Sequence, residues 1–561
     1  MFVQSKEIEE SRFPVVESAE MSLGARLLPF AKIATAAIFA ALYLFPITQL
    51  LHRVGDEGTM IYGAERVLEG QVPYRDFVEI MGPGSFYWLA LFFKLFGSTW
   101  QVTRFYLLFT GVATALLVYL ITRRFISGAV SFLPALFVVV LGEPFWPACN
   151  HHWDGNLFAL AAILCCLKWQ DTERRAWLIA AGTLAAITSC FIQQKGLFLL
   201  LAFIIAILAR GVQGSGRRTA FVAIGYVLAA YASVGACVVL WFYRAGALRD
   251  LFYANLIWPL SGYETLNKIP YGKGLADLSI GSCSFLRHVL PAPLALFLAF
   301  LCLLPFLVIV ASPLLVVAGT VAGVLQSRLR GLLLCGSTIT LVLAALALWL
   351  SEIHRGDMVH LLFGAPVLII ALFVVAERLF ERHRIKNVLI TATTLGVVLL
   401  GCFKLAECRI SHKIETRRGT VLDVTQDDAL EFLNSAVVQR EWVFVYPYYP
   451  MYYYLADVRN PTRFSILLYQ YNTPENFEEV TQDLESKHVK YVLWDTVVDG
   501  ANLRTWFPGY IEPPRDHLRL ERYLNLTYKV VSIKNGFRIL RRNRYCCLLY
   551  TSPSPRDRQK S

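Results

Sequence analysis

The chain has 561 residues, of which 56% are hydrophobic and only 17% are charged. This composition excludes fibrous, disordered and disulfide-scaffold proteins, and it leaves too little polar surface for several water-soluble domains of roughly 150 residues each. The net charge of +12 does not indicate nucleic-acid binding, because the basic residues cluster at the ends of apolar runs, as expected for a protein that crosses a membrane many times.

Eleven apolar runs predict helices that cross a membrane, which takes about 20 residues per helix. They lie at 32–51, 104–122, 128–142, 156–169, 176–192, 196–210, 219–242, 305–326, 331–350, 360–377 and 387–403. The stretch 289–325 is ambiguous, since Pro305 and Pro313 allow either one span with an interfacial helix or two short spans. The predicted fold class is a polytopic α-helical membrane protein.

Clusters of arginine and lysine predict the sidedness of these spans. The clusters expected on the cytoplasmic side lie at 123–124, 168–175, 210–218, 328–330 and 378–386. An even number of crossings must separate the third cluster from the fourth, so the ambiguous stretch is predicted to cross once. This gives about eleven spans, with the N-terminus inside and the C-terminal segment outside.

The same reasoning predicts the domain organisation. Residues 1–31 form a cytoplasmic segment, and 32–403 form the membrane domain with a large first outer loop at 52–102. Polarity rises sharply beyond the last span, so 404–546 is predicted to be a small extracytoplasmic α/β domain. The last residues, 547–561, read as a translated sequencing adapter and are interpreted as an artefact.

Local patterns predict secondary structure in the two large outer segments. In the first outer loop, apolar spacing predicts a helix at 59–69, and an aromatic amphipathic run predicts an interfacial helix at 86–96. The C-terminal segment shows two helical patterns and four strand patterns, the last two strands joined by an Asn535-Gly536 turn. These patterns lie at 427–435 and 474–487 for the helices, and at 442–446, 490–494, 528–533 and 537–540 for the strands.

Acids and histidines follow the early spans on the outer side. Asp56 and Glu57 come directly after the first span. Either they are solvated acids at a membrane edge, or one faces a water-filled cavity as a general base or metal ligand. The next outer loop carries His151, His152 and Asp154. These side chains can bind a divalent ion, a hydroxyl or a phosphate, or form a solvated loop, since no complete metal-ligand set is present.

Two further segments are candidates for anion binding. Gln194 and Lys195 interrupt an apolar hairpin, where the lysine either extends to the interface or contacts a lipid phosphate. The densest polar cluster, between two spans, consists of His354, Arg355, Asp357 and His360. It indicates either an arginine at a span end or an anion site with an oriented partner.

Two observations bear on the substrate. The tyrosine-rich stretch 446–454 either stacks on sugar rings or packs the outer domain, and packing is the preferred interpretation. The sequence has no glycine-rich nucleotide-binding motif. An activated substrate used outside the membrane is therefore expected to arrive in another form, such as a lipid phosphate.

Several residues of the first outer loop resemble the GT-C glycosyltransferases. They are Asp56-Glu57, Tyr62, Arg66, the Tyr74-Arg75-Asp76 loop, the Gly82-Pro83 turn and Tyr87-Trp88. The chain is most similar to bacterial relatives of the dolichyl-phosphate-mannose protein mannosyltransferases and of the lipid A aminoarabinose transferase. The likeness is best over the first two spans, while the general layout extends over the whole chain. One departure is Met81-Gly82-Pro83-Gly84, where many relatives have a Lys-Pro-Pro-like segment.

The resemblance implies an inverting glycosyltransferase that moves a sugar from a polyprenyl-phosphate donor to an acceptor on the outer face. It implies that Asp56, with Glu57 beside it, is the catalytic base or a metal ligand. Arg75, Lys195 or Arg355 is then expected to stabilise the leaving phosphate, as preorganised cations do in a low dielectric. His354, Asp357 and His360 are expected to orient those groups or bind the sugar. The secondary candidates are Tyr62, Arg66, Asp76, His151, His152, Asp154 and Gln194.

The same resemblance implies the partners and the location. The partners are a polyprenyl-phosphate-linked sugar, membrane lipid and an acceptor that is a glycan, a lipid or a protein. A divalent metal ion is a possible cofactor, and the expected location is the bacterial inner membrane. Two alternatives remain open: a flippase or transporter of lipid-linked sugars, and a polysaccharide polymerase or ligase.

Overall fold

The computed structural model describes residues 23–52, 55–277, 286–288, 290–325, 336–379, 384–498, 500–514, 517–534 and 536–543. The suspected adapter segment 547–561 and the basic cluster 328–330 lie outside these residues. The helices of the membrane domain are α1 (Leu23–Thr48), α2 (Gly55–Leu68), α3 (Pro83–Phe96), α4 (Trp100–Thr122), α5 (Leu133–Leu141), α6 (His151–Thr172), α7 (Arg175–Phe191), α8 (Gln193–Arg210), α9 (Arg217–Arg244), α10 (Leu248–Phe252), α11 (Glu264–Asn267), α12 (Ala292–Leu325), α13 (Gly336–Leu350), α14 (Met358–Leu379) and α15 (Arg384–Glu407).

Each of the eleven predicted runs coincides with one of these helices. Within the described residues, seven helical stretches are long and apolar enough to cross a membrane, and the apolar stretches at α5, α7 and α13 are shorter. The chain is therefore a polytopic helical membrane protein, while the count of eleven crossings and their sidedness stay predictions. The ambiguous stretch forms the single long helix α12, which contains both Pro305 and Pro313.

The predicted helices of the first outer loop are present as α2 and α3. Helix α3 begins with Pro83, whose missing N–H suits the first helical turn. Gly82, just before it, packs directly on the carbonyl groups of Cys190 and Phe191 at the end of α7, where a Cβ atom would overlap them. This glycine therefore allows the outer loop to lie against the helix bundle.

The C-terminal region forms a four-stranded mixed sheet flanked by helices. The strands are β5 (Val443–Tyr446), β6 (Tyr491–Asp495), β7 (Tyr528–Lys534) and β8 (Phe537–Arg542), and the helices are α16 (Asp428–Ala436), α17 (Met451–Leu455), α18 (Pro474–Ser486), α19 (Gly500–Trp506) and α20 (Arg519–Thr527). The sheet order is β5-β6-β8-β7, with β5 and β6 parallel and the other pairs antiparallel. All four predicted strands and both predicted helices of this region are confirmed, and Gly536 in the last turn has a positive φ of 81°. Asn535 lies outside the described residues.

Four further short strands form two pairs outside this sheet. Strand β1 (Ile269–Lys273) pairs in parallel with β2 (Arg355–Asp357), and β3 (His412–Thr416) forms a hairpin with β4 (Gly419–Asp423). The pairing of β1 with β2 joins two outer segments that are far apart in the chain.

The first outer loop packs directly on the C-terminal domain. Val78 N donates to Arg463 O at 2.8 Å, and Asn460 N donates to the Tyr62 hydroxyl at 3.0 Å. Gly58 of α2 lies so close to the backbone of Met451 that a Cβ atom would overlap it. The buried core of this interface is continuous from α2 and α3 to β5 and α17. The 52–102 loop and the C-terminal domain therefore form one packed unit.

Candidate active site

A cavity of about 1680 Å³ lies between the membrane helices and the C-terminal domain. Its wall combines the start of α2, the starts of α6 and α8, the β1–β2 pair, the ends of α13 and α15, and the C-terminal segments around Tyr448, Tyr471 and Trp506. Most of the predicted site residues line it: Asp56, His151, His152, Gln194, His354, Arg355, Asp357 and His360. The fold therefore gathers polar groups from four separate outer segments in one place.

Asp56 lies in the first turn of α2, where the helix dipole favours a negative charge. The Tyr448 hydroxyl donates to its Oδ1 at 3.3 Å. This contact is possible because residue 55 is glycine, since a Cβ atom there would overlap the Tyr448 ring. Burial raises the pKa of Asp56 above its usual value, while the charges of Arg355 and His360 and the Tyr448 hydrogen bond offset part of the rise. A raised pKa makes a carboxylate a better proton acceptor near neutral pH.

Arg355, Asp357 and His360 form a connected ionic group. The two ends of β2 place Arg355 and Asp357 on one side of the strand, and Arg355 Nε donates to Asp357 Oδ2 at 2.9 Å. Asp357 Oδ1 accepts from the backbone N–H of His360 at 3.1 Å and lies 2.9 Å from its Nδ1. Burial alone would raise the pKa of Asp357, but its bonds to His360 and the charge of Arg355 lower it well below its usual value.

Arg355 is also held from its other side. Its Nη1 donates to Asn267 Oδ1 at 2.7 Å, its Nη2 donates to Trp506 O at 3.2 Å, and its guanidinium lies 5.5 Å from the Phe507 ring centroid. Tyr263 also lies within hydrogen-bond reach of this guanidinium, so of the four N–H groups on its two terminal nitrogens at least one is left for a ligand. The arginine is thus fixed in position and still able to bind an anion.

The other histidines of the cavity lie close to His360. The ring centroids of His152 and His360 are 5.2 Å apart, those of His354 and His360 are 6.2 Å apart, and those of His151 and His152 are 4.3 Å apart. His354 Nδ1 lies 3.1 Å from Ser351 O. The structure thus brings the predicted histidines of two outer loops together.

Lys195 does not contact the cavity. Its side chain is fully buried, and its ammonium group lies 2.5 Å from Glu352 Oε1 and 2.9 Å from Asn156 Oδ1. His152 Nδ1 lies 3.1 Å from the same Glu352 oxygen. Because the protein itself compensates this charge, the structure corrects the expectation that Lys195 contacts a lipid phosphate.

Glu57 also points away from the cavity. It forms a buried salt bridge with Arg104 and accepts from the backbone N–H of Cys149 at 2.9 Å. Arg104 in turn stacks over Trp100 at 3.8 Å and donates to Leu50 O at 3.2 Å. The adjacent acids therefore have separate roles: Asp56 faces the cavity, and Glu57 anchors α2 to the start of α4.

Arg75 and Asp76 lie outside the cavity as well. Arg75 is partly exposed, pairs with Asp76 at 2.8 Å and donates to Ala245 O. Asp76 also accepts from Val72 N at 2.7 Å. These contacts tie the outer loop to the end of α9, so the structure does not place Arg75 near a leaving phosphate.

The remaining secondary candidates are structural in their contacts. Tyr62 stacks on Tyr453 at 5.1 Å, and Arg66 donates to Asp76 O at 2.7 Å. Asp154 is fully buried beside Tyr106. None of the three lines the cavity.

Sequence reasoning missed Glu79, Glu352 and the cavity role of Tyr448. Glu79 lines the cavity, yet it stands alone in the chain between apolar residues and carries no motif. Glu352 lies just after an apolar run that ends at residue 350. This position was the one sequence signal that the acid could be buried beside another charged residue. Within the 446–454 stretch, Tyr446, Tyr452, Tyr453 and Tyr454 are buried, which agrees with packing, whereas Tyr448 and Tyr449 line the cavity.

The possible metal ion finds no ligand set in the part of the chain that the structure describes. No group of three His, Cys, Asp or Glu side chains there has the arrangement that a metal ion needs. His360, which acts electrostatically on Asp56, is paired with the carboxylate of Asp357.

Comparison with solved structures identifies the fold. The chain is similar to the archaeal oligosaccharyltransferase AglB from Archaeoglobus fulgidus, solved in complex with an inhibitory peptide and a dolichol-phosphate, with a TM-score of 0.52 at 13% identity. The alignment covers 93% of this chain and 75% of the AglB chain. ArnT from Cupriavidus metallidurans, solved bound to undecaprenyl phosphate, aligns over 92% of this chain and 98% of its own with a TM-score of 0.39 and 11% identity, a likeness too weak to support a conclusion. No protein-family model matches the sequence, and no curated protein matches it significantly.

AglB is a member of the GT-C superfamily. The chain therefore has the GT-C fold, which confirms the fold implied by the sequence resemblance. At this level of identity the likeness establishes the fold and leaves the reaction to be argued from the cavity.

Proposed function

We propose that this protein is an inverting glycosyltransferase that moves a sugar from a polyprenyl-phosphate donor to an acceptor hydroxyl. The observation that carries the proposal is the meeting of Asp56 with Arg355, Asp357 and His360 in one cavity of a GT-C-fold protein. A carboxylate and a fixed arginine on the wall of one cavity are what a displacement at an anomeric carbon needs: a proton acceptor and a stabiliser for the leaving anion.

Asp56 is the general base of this mechanism. Its carboxylate takes the proton of the acceptor hydroxyl while that oxygen forms a bond to the anomeric carbon. The bond between the anomeric carbon and the phosphate oxygen breaks, and the polyprenyl phosphate leaves with the electron pair. The attack comes from the face opposite the phosphate, so the configuration inverts.

Arg355 stabilises the phosphate as its negative charge grows. Asp357, Asn267 and the Trp506 carbonyl hold the guanidinium in place, so no reorganisation is needed during the reaction. The N–H group that the protein partners leave on the guanidinium suits a phosphate oxygen. His360, held by Asp357, is expected to orient these groups or to bind the sugar.

The apolar part of the cavity is suited to the lipid chain. Phe306, Leu362, Leu400 and Phe403 line it, and they come from α12, α14 and α15, three helices of the membrane domain. A polyprenyl chain in this position leaves its phosphate at the end where the polar residues begin. We place the reaction on the outer face of a bacterial inner membrane, in agreement with the sidedness predicted from the basic clusters.

The variant Asp56→Asn tests the proposal in membranes supplied with labelled polyprenyl-phosphate sugar. Removal of a general base typically lowers the rate about 10²–10⁴-fold, and we expect a loss of transfer in this range with normal protein level. Asp428→Asn, at the start of α16 and away from the cavity, is the matched control. Near-normal transfer by Asp56→Asn removes Asp56 from the mechanism.

The same labelled donor distinguishes the other two functions. Movement of the lipid-linked sugar across the membrane without transfer supports a flippase. Block-wise lengthening of a glycan supports a polymerase or ligase. Transfer of a single sugar to an acceptor supports the glycosyltransferase.

A further inference from the structure

Glu79 is a buried acid on the cavity wall that the mechanism above does not use. Its side chain is 3% exposed, and its Oε1 has no hydrogen-bond partner among the described residues. Ser465 interacts with the carboxyl group from the C-terminal domain. The residue before it is tied to the same domain, because Val78 N donates to Arg463 O at 2.8 Å. A buried polar atom without a partner is energetically unfavourable, so this oxygen points to a missing ligand.

Aromatic side chains surround the two cavity acids. Tyr448 donates to Asp56, and Tyr471 lies within electrostatic reach of both Asp56 and Glu79. Tyr471 packs against Trp258, with ring centroids 4.8 Å apart, while Tyr448 lies 5.9 Å from Trp506. The outer end of the cavity is therefore a wall of phenol and indole rings set around two carboxyl groups.

The cavity has room for two substrates. Its volume of about 1680 Å³ exceeds the roughly 300–1,000 Å³ that a single small ligand occupies. Arg355 and the apolar helices serve the donor, whereas Glu79 and the tyrosines lie on the part of the wall that the first outer loop and the C-terminal domain form. A second ligand beside Asp56 is the acceptor that Asp56 deprotonates.

We propose that Glu79, Tyr448 and Tyr471 form the acceptor subsite of this enzyme and that the acceptor is a carbohydrate. This inference rests on the glycosyltransferase function proposed above and adds the class of acceptor. Glu79 hydrogen-bonds a hydroxyl next to the one that attacks, and the tyrosine rings pack on the apolar face of the sugar. Glu79 is a positioning residue, and Asp56 remains the base.

The chemistry of the wall favours a sugar over a peptide. A sugar ring presents several neighbouring hydroxyls at its edge and C–H groups on its faces. The carboxyl groups of the subsite can accept hydrogen bonds from the hydroxyls, and its aromatic rings can pack against the C–H groups. A serine or threonine side chain presents a single hydroxyl, which Asp56 alone satisfies. An acceptor with a second polar group supplies the partner that the Oε1 atom of Glu79 lacks among the described residues.

The test uses the full-length protein in detergent, labelled and applied to arrays of immobilised glycans and of peptides that contain serine and threonine. We expect retention on glycans. Tyr448→Ala and Glu79→Ala are expected to weaken it at least tenfold, and the isosteric Glu79→Gln less than threefold. The matched control is Tyr253→Ala, which removes an exposed tyrosine outside the cavity and is expected to leave retention unchanged.

A second measurement separates this inference from the proposed function. Binding of undecaprenyl phosphate to the same variants in nanodiscs is expected to stay within twofold of the unmodified chain, which also shows that they are folded. Retention on peptides alone, retention on neither array, or glycan retention that Tyr448→Ala leaves unchanged overturns the acceptor subsite. Failure of the unmodified chain to bind undecaprenyl phosphate counts against the proposed function instead.

Discussion

Lys195 and Glu352 provide a direct test of whether a buried charge serves the fold or the reaction. Both side chains are fully buried, and the ammonium nitrogen lies 2.5 Å from Glu352 Oε1. The perturbation is the set of three variants Lys195→Met, Glu352→Gln and the double variant. If the pair serves the fold, each single variant leaves one buried charge without compensation, whereas the double variant leaves none.

The expected magnitude follows from the geometry. At 2.5 Å and an effective dielectric constant of about 20, the attraction between two unit charges is about 7 kcal/mol, and desolvation of the ions offsets several kcal/mol of it. Loss of one partner of a buried pair typically costs about 3–5 kcal/mol. We expect each single variant to lose stability in this range and the double variant to lose clearly less than either.

The assay measures the melting temperature, at which half of the protein in detergent remains folded, and transfer activity is measured on the same variants. The control is Lys490→Met, because Lys490 is 45% exposed and lies 3.9 Å from Glu441, and exposed pairs of this kind contribute about 0–1 kcal/mol. Two results refute the reasoning. One is a double variant whose loss equals the sum of the single losses, and the other is a folded double variant that has lost transfer, which makes Lys195 a contributor to the chemistry.

Two further predictions concern Glu79 and Gly82. Burial and the charge of Asp56 raise the pKa of Glu79 to about 8, against the opposing effects of Ser465 and Arg66. An acid whose pKa is raised in the folded protein contributes less stability as the pH rises from its pKa in the unfolded chain towards 8, so the unmodified chain is expected to lose stability over this rise and Glu79→Gln to lose less in parallel pH profiles of the melting temperature. Gly82→Ala places a Cβ atom on the backbone carbonyls at the end of α7 and is expected to destabilise by about 1–3 kcal/mol. Gly225→Ala, where nothing lies within 4 Å, is expected to leave the melting temperature unchanged, and equal melting temperatures for the two variants contradict the packing argument.

The elements that the sequence predicted correctly are those with strong local signals. The β7–β8 hairpin follows from alternating residues on either side of a turn, and Gly536 there has the positive φ that favours glycine. Helices α2 and α3 follow from their apolar spacing, although α3 begins at Pro83, inside the predicted turn and three residues before the predicted start. Helix α12 remained ambiguous because proline can either interrupt a helix or be tolerated in one that neighbouring helices support.

The roles of individual charges were harder to predict because their partners are distant in the chain. A lysine at the outer end of an apolar run looks the same in sequence whether it extends to the interface or is buried, and only the approach of α8 to the end of α13 brings Lys195 to Glu352. The neighbours Asp56 and Glu57 look equivalent in sequence. Their places on successive positions of α2 separate them by about 100° around the helix, which turns one to the cavity and the other to Arg104.

The contacts that join the C-terminal domain to the first outer loop also complete the proposed active site. Gly55 and Gly58 of α2 let the 448–451 segment approach closely, and the same approach places the Tyr448 hydroxyl on Asp56. Trp506 of that domain holds Arg355 through its carbonyl group. Because the proposed base and the proposed anion-binding arginine both depend on the C-terminal domain for their positions, the proposed mechanism makes this domain part of the catalytic apparatus. A change that loosens its contact with α2 is therefore expected to lower transfer before it unfolds the membrane helices.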